Sequence, residues 1–78
     1  MKGVSISPNP TADKLNVQLP AAGNYGVVVL DPTGRQVLTD RISANSSIDL
    51  SSFSAGIYVL EVRDLATNAV SRQRIVKR

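Results

Sequence analysis

The stretch Ile57-Tyr58-Val59-Leu60-Glu61-Val62 decides the fold class, because apolar β-branched, aromatic and leucine side chains fill all of it except Glu61. Such a run is typical of a β-strand, where these side chains pack well on a pleated surface. We expect Tyr58, Leu60 and Val62 to line the core, because residues two apart share one face of a strand. The run therefore predicts a long strand at the centre of a sheet.

Similar signals continue toward both ends of the chain. Residues 65–68 predict a turn, and residues 70–77 predict a last strand paired back on the central run. Residues 46–50 predict a short strand, and residues 51–56 predict a compact turn. Leu50 and Phe53 can close one end of the core there, and Gly56 is expected to relieve a strained backbone position. The carboxyl-terminal half is thus predicted to be entirely β.

The middle of the chain predicts a hairpin. Residues 25–30 are a nearly continuous β-branched run, which is typical of a strand covered on more than one side. Asp31-Pro32-Thr33-Gly34 follows at once, with residue types that suit a type I turn and with Gly34 free to take a positive φ in a bulge. Residues 35–42 then predict the returning strand.

Two further strands are predicted near the amino terminus. Residues 14–19 alternate polar and apolar side chains, which indicates a strand with one buried and one solvent-exposed face. The short apolar piece at residues 4–6 is a separate edge element, because Pro8 and Pro10 end it. No segment resembles a signal peptide or a membrane span.

These elements give about seven short antiparallel strands in a chain of 78 residues. Strands at roughly ten-residue spacing, separated by turn signals, indicate an immunoglobulin-like β-sandwich. The Cys…Trp…Cys pattern of true immunoglobulin domains is absent, since the chain has no cysteine and no tryptophan. The fold class is therefore predicted as all-β, in a single domain spanning residues 1–78.

Catalytic equipment is not evident in this sequence. The chain has no histidine and no cysteine, which removes the commonest general base, nucleophilic thiols and the commonest metal ligands. Its acidic residues are scattered singly beside predicted turns, and no calcium-loop, G-x-S-x-G or glycine-rich phosphate motif occurs. We predict no enzymatic activity, no cofactor and no bound metal.

The charge of the chain is moderately basic, at +3. Four basic residues crowd the carboxyl terminus: Arg72, Arg74, Lys77 and Arg78. Such a tail can bind nucleic acid or lipid headgroups. No aromatic residue is interleaved for base stacking, so we predict no nucleic-acid partner and favour a charge-protected edge strand.

Six blocks of sequence follow one another along almost the whole chain. They are Ser7-Pro8-Asn9-Pro10-Thr11, Lys14-Leu15-Asn16-Val17, Asp31-Pro32-Thr33-Gly34-Arg35, Ile48-Asp49-Leu50-Ser51, Ala55-Gly56-Ile57-Tyr58-Val59-Leu60-Glu61-Val62 and Arg74-Ile75-Val76-Lys77-Arg78. In this order they resemble the type A C-terminal sorting domain of the type IX (Por) secretion system of Bacteroidetes. The resemblance implies a domain from the carboxyl end of a larger exported protein.

The resemblance also implies partners and sites. Such domains direct a folded amino-terminal cargo to the outer-membrane translocon, and a sorting peptidase commonly removes them and attaches the cargo to the cell surface. The corresponding residues are the proline block Pro8, Asn9 and Pro10, the turn glycine Gly34, the G-x-Y element Gly56 and Tyr58, and the terminal recognition signal Ile75, Val76, Lys77 and Arg78. We expect Pro8 and Pro10 to stiffen the cargo junction.

The last two residues and the alternative functions lead to further expectations. Lys77 and Arg78 are expected to be exposed, to matter for transport and to contribute little to folding. A carbohydrate-binding or adhesion sandwich is an alternative, although two tyrosines and one phenylalanine offer few aromatic platforms. A structural spacer of a multidomain surface protein is the other alternative, and no oligomeric state is predicted.

Overall fold

Seven antiparallel strands form the part of the chain that the computed structural model describes, residues 3–7 and 13–78. They are β1 (Ser5–Ser7), β2 (Lys14–Gln18), β3 (Tyr25–Leu30), β4 (Gln36–Ile42), β5 (Ser46–Asp49), β6 (Gly56–Asp64) and β7 (Val70–Lys77). No described residue is helical. The predicted all-β class and the seven strands are confirmed, and the bounds of β3 and β7 are those expected from the sequence.

The strands form two sheets with the orders β1-β2-β5 and β4-β3-β6-β7. Hairpins join β3 to β4 and β6 to β7, because short turns connect antiparallel neighbours, and β1 pairs antiparallel with β2. The chain crosses between the sheets after β2, after β4 and after β5. This arrangement is a β-sandwich, and β6 occupies the interior position that was predicted for it.

The core lies between the two sheets and is built from alternate residues of β2, β3, β5, β6 and β7, together with Leu50 after β5. Its buried members are Leu15, Val17, Tyr25, Val27, Val29, Ile48, Leu50, Tyr58, Leu60, Val62 and Ile75. The predicted inward side chains of β6 are among them. β3 differs from expectation, because Val27 and Val29 are buried while Val28 and Leu30 are only half-buried. β3 is therefore covered completely only on its core side, where the three-stranded sheet packs against it.

The two tyrosines close opposite ends of the core. Tyr25 stands opposite Ile42 and Asp64, and Tyr58 stands opposite Ile75 at the other end of the same sheet. The Tyr25 hydroxyl donates to the Ala21 carbonyl at 2.9 Å, and the Tyr58 hydroxyl donates to the Ser54 carbonyl at 2.7 Å. Each ring is thus buried while its polar tip keeps a hydrogen-bond partner, as buried tyrosines require.

The turn between β3 and β4 is organised by Asp31. Its Oδ1 accepts hydrogen bonds from the Thr33 N–H at 3.0 Å, the Thr33 hydroxyl at 2.6 Å and the Arg35 N–H at 3.0 Å. Gly34 donates its N–H to the Asp31 carbonyl and has a φ of +88°. A shift of register between Val29 and Leu30 marks an irregularity in this pair of strands. The predicted turn and the positive φ of Gly34 are confirmed.

Replacing Gly34 by alanine is expected to lower the free energy of unfolding by about 1–2 kcal/mol, the cost of a left-handed conformation for a residue with a Cβ. Nothing lies within 4 Å of the position that the Cβ would take, so the backbone alone accounts for the loss. Gly34→Asn is the control and should lose less, because asparagine tolerates this conformation. Thermal unfolding of both variants tests this, and an alanine variant as stable as the parent would contradict it.

Acid is expected to weaken the fold through Asp31. The Thr33 hydroxyl hydrogen bond lowers the pKa of Asp31 from 3.8, helped by the N–H groups of Arg35 and Thr33 and opposed by desolvation. A lowered folded-state pKa gives stability that is fully present above 3.8 and is lost as the pH falls through the folded value. Asp31→Asn should therefore weaken the dependence of the melting temperature on pH below pH 3.8, compared with the parent. An unchanged acid slope would contradict this.

Candidate recognition site at one end of the sandwich

The segment that the sequence predicts to be a terminal recognition signal forms the end of β7. Ile75, Val76 and Lys77 are its last three residues, and Arg78 follows them. They pair with the beginning of β6, where Lys77 stands opposite Gly56, Val76 opposite Ile57 and Ile75 opposite Tyr58. The structure therefore brings together the G-x-Y element and the terminal segment, which are separate in the sequence.

Tyr58 and Ile75 anchor this end of the four-stranded sheet. Ile75 is fully buried, and Tyr58 is 9% exposed. The ring centroid of Tyr58 lies 5.4 Å from that of Phe53, which belongs to the turn between β5 and β6. Phe53 is half-buried against the core and Leu50 is fully buried, so the predicted closure of the core by this turn is confirmed.

Gly34 and Gly56 border the same end. Leu30, the last residue of β3, pairs with Val59 near the start of β6, which places the Gly34 turn beside the beginning of that strand. Gly56 has a φ of +158°, a conformation that residues with a Cβ seldom adopt. The other predicted site residues, Pro8, Asn9 and Pro10, lie outside the described residues.

Lys77 differs from the sequence expectation, because it is buried rather than exposed. Its exposed fraction is 8%, and its Nζ donates to the Arg78 carbonyl at 2.9 Å. Lys77 lies two residues after Ile75 and therefore shares the inward face of β7. Its aliphatic stem covers apolar surface while the ammonium reaches a carbonyl at the edge. Arg78 is exposed as expected.

Lys77→Ala is therefore expected to destabilise the domain by about 1–2 kcal/mol, since each buried methylene contributes ~0.8 kcal/mol. Lys77→Met keeps an unbranched apolar chain and should cost less than about 1 kcal/mol. Arg78→Ala is the matched surface control, with a change within about 0.5 kcal/mol. Denaturant unfolding measures all three, and equal midpoints for Lys77→Ala and Arg78→Ala would show that the Lys77 stem does not support the core.

Sequence reasoning missed Ile57, which is 49% exposed on the opposite face of β6 from Tyr58. It stands beside Val76, which is half-buried on the same face. Strand alternation was the available signal, because a buried Tyr58 places its neighbour Ile57 outward. Ile57, Val76 and Arg78 are thus among the side chains at this end that a partner can touch without unfolding the domain.

The described residues hold no other conspicuous chemical site. Within residues 3–7 and 13–78, no three acidic residues, histidines or cysteines come together as metal ligands. No helix long and apolar enough to cross a membrane occurs in that part of the chain. What the geometry defines is a β-sandwich whose terminal strand is part of its core and whose terminus lies beside a conspicuous G-x-Y element.

Comparison with known proteins identifies the family. The model of the secretion system C-terminal sorting domain matches residues 5–78, and the chain belongs to this family. Its structure is similar to PorZ, an essential bacterial surface component of the type IX secretion system of Porphyromonas gingivalis, with a TM-score of 0.74 and 22% sequence identity. The similarity covers 97% of this chain and 11% of that chain, and it supports the fold. The search of curated proteins finds no match.

Membership of this family confirms the resemblance to a C-terminal sorting domain that the six sequence blocks indicated. The chain is a C-terminal sorting domain of type IX secretion. Its context is interaction with the sorting machinery and export toward the outer membrane or the cell surface. The family is one of secretion signals, which suggests a non-catalytic role.

Proposed function

We propose that this domain follows a larger amino-terminal cargo, delivers that cargo to the type IX outer-membrane translocon, and is then handled by a sorting peptidase without itself performing catalysis. The cargo would finish on the cell surface or in the medium. The observation that carries the proposal is the pairing of Gly56, Ile57 and Tyr58 with Lys77, Val76 and Ile75. In this pairing the terminal segment has a defined shape that a receptor can recognise.

The proposed recognition signal comprises Ile75, Val76, Lys77 and Arg78 in two roles. Val76 and Arg78 are accessible and would contact the translocon, whereas Ile75 and Lys77 are buried and would hold the segment in place. Gly34, Gly56 and Tyr58 support this end of the sheet. The proline block Pro8, Asn9 and Pro10 is proposed to end the first strand and not to stiffen the connection to the cargo, because β1 separates it in sequence from a cargo that precedes Gly3.

The position of Gly3 supports a cargo at the other end of the sandwich. Pro20 occupies the space that a Cβ on Gly3 would take. The loop after Pro20 is tied to the turns beyond β4 and β6, since the Gly23 N–H donates to the Ser43 carbonyl and the Leu65 N–H to the Asn24 carbonyl. A cargo preceding Gly3 would therefore leave the terminal segment unobstructed.

A secretion assay tests this function in a bacterium with a type IX system. The cargo is a reporter that carries an inner-membrane signal peptide and precedes the domain. We expect surface delivery of the parent fusion and its loss with Val76→Asp, which places a charge on the accessible face of the signal. Ser47→Asp is the control, since it adds the same charge at an exposed position of β5, in the other sheet. A parent reporter that stays in the periplasm, or equal delivery of both variants, would contradict the proposal.

A further inference from the structure

The side of the β4-β3-β6-β7 sheet turned away from the core, here called the outer sheet face, collects the positive charge of the molecule. Arg41 on β4 and Arg63 on β6 both stand opposite Gly26, and Arg72 and Arg74 on β7 stand opposite Glu61 and Val59. All four arginines are exposed. Sheet pairing has thus placed cations from three separate strands on one surface.

The charge on this face equals the charge of the whole chain. Four arginines and the single acid Glu61 give +3, which is the net charge of all 78 residues. The five other basic residues are matched by the five other acidic residues of the sequence. The rest of the molecule is therefore neutral in sum, and the excess positive field arises from the outer sheet face.

Glu61 holds two of these cations in place without neutralising the face. Its Oε2 lies 3.1 Å from Arg72 Nε, and its Oε1 lies 3.5 Å from Arg63 Nη2. Across Gly26 from Arg63, the missing side chain leaves an open groove of about 400 Å³ whose lining includes Arg41, Thr39, Leu65 and one acid, Asp40. Asp40 accepts a hydrogen bond from the Arg41 N–H through its Oδ1 at 2.8 Å, which leaves the Arg41 guanidinium out of that contact. One carboxylate thus positions two guanidinium groups, while Arg41 flanks a groove that an incoming group can enter.

Apolar side chains share the surface with the arginines. Val28, Leu30 and Val59 are half-buried, and Ile57 is half-exposed. Apolar groups combined with arginine are typical of protein interfaces, and guanidinium groups bind carboxylates through two parallel hydrogen bonds. Binding to a lipid surface would require the apolar side chains to enter the bilayer, and Val28, Leu30 and Val59 are too deeply set in the sheet to do so. The composition therefore favours a protein surface that carries carboxylates around an apolar patch.

The size of the face indicates a brief contact. Four strands ~4.8 Å apart, with six to nine residues each at ~3.3 Å, span on the order of 500 Å². Stable complexes bury about 800 Å² on each partner, and smaller contacts belong to transient encounters. A signal domain that is passed along an export route suits such an encounter.

We propose that the outer sheet face is a docking surface for an acidic protein of the export machinery, separate from the terminal segment at the end of β7. This rests on the proposed function only in taking the partner from the export machinery. Arg41, Arg63, Arg72 and Arg74 would bind its carboxylates, and Val28 and Val59 would contact its apolar centre.

Charge reversal tests the proposal in the reporter fusion. We expect Arg41→Glu with Arg63→Glu to abolish surface delivery while the isolated domain keeps its melting temperature. The matched control, Lys14→Glu with Arg35→Glu, makes the same change of net charge away from this face and should deliver like the parent. If the Arg41 and Arg63 variant delivers normally while Val76→Asp fails, the outer sheet face is not a docking surface and the proposed function stands.

A contact readout separates the partner classes and does not depend on delivery. A photo-crosslinking residue at position 39 should form a covalent adduct with a protein in cells, and charge reversal at Arg41 and Arg63 should remove this adduct. A photo-crosslinking residue at position 16, on the other sheet, should form no such adduct. An adduct that survives charge reversal, or none at all, overturns the proposal. Binding of the isolated domain to phosphatidylglycerol vesicles, lost with the same charge reversal, would overturn it in favour of a membrane. If delivery of the parent fails but the charge-dependent adduct forms, the docking surface stands and the export function falls.

Discussion

Tyr58→Ala is expected to lower the free energy of unfolding by about 3–5 kcal/mol, the range for removing a large buried ring. The side chain is 9% exposed, contacts the ring of Phe53 and stands opposite the fully buried Ile75. Its removal would open a cavity where the turn after β5, the start of β6 and the end of β7 meet. Denaturant unfolding followed by circular dichroism measures the loss.

Tyr58→Phe is the control that separates the ring from the hydroxyl. It keeps the buried ring and removes only the 2.7 Å hydrogen bond to the Ser54 carbonyl. The net contribution of such a bond is about 1 kcal/mol, so the variant should remain folded. An alanine variant with the midpoint of the parent would show that Tyr58 does not anchor this end of the sheet.

The strands could be predicted from the sequence because their signals are local. Alternation in Lys14–Gln18 and the β-branched run in Tyr25–Leu30 identify strands without knowledge of their neighbours. The order β1-β2-β5 carries no comparable signal, since it depends on crossings between sheets. Strand number and hairpins were therefore predictable, whereas the assignment of strands to two sheets was not.

Register explains why part of the candidate site was missed. The pairing of β7 back on β6 was predicted, but residue-by-residue partners depend on the turn that joins the strands. That turn ends with Asn68 at a φ of +62°, which asparagine tolerates, but the composition does not determine which residues of the two strands stand opposite each other. Only the register shows that Gly56 and Tyr58 stand opposite Lys77 and Ile75.

The basic tail illustrates how the fold divides a sequence cluster. Its members appeared as one group of charges, yet alternation along β7 sends Arg72 and Arg74 outward and Lys77 inward. Arg41 and Arg63, distant in sequence, then join the outward pair on the outer sheet face. The count of charged residues along the sequence could predict that the surface is positive overall, but not on which face the positive charge lies.

Ile75→Ala is expected to lower the free energy of unfolding by about 2–5 kcal/mol, since this side chain is fully buried beside Tyr58. Ile75→Val removes a single methylene and should cost about 0.5–1.5 kcal/mol. Denaturant unfolding measures both, and the reporter assay measures surface delivery of the same variants. We expect delivery to follow the fraction of folded domain, with Ile75→Val close to the parent.

This pair of variants decides how the terminal segment is recognised. A receptor that binds the folded domain cannot contact a side chain enclosed between two sheets, so Ile75 would act by holding Val76 and Arg78 in position. The opposite result would be an Ile75→Ala domain that unfolds at the denaturant concentration of the parent and yet is not delivered. In that case the receptor would read Ile75 directly, and the end of β7 would have to leave the sheet before recognition.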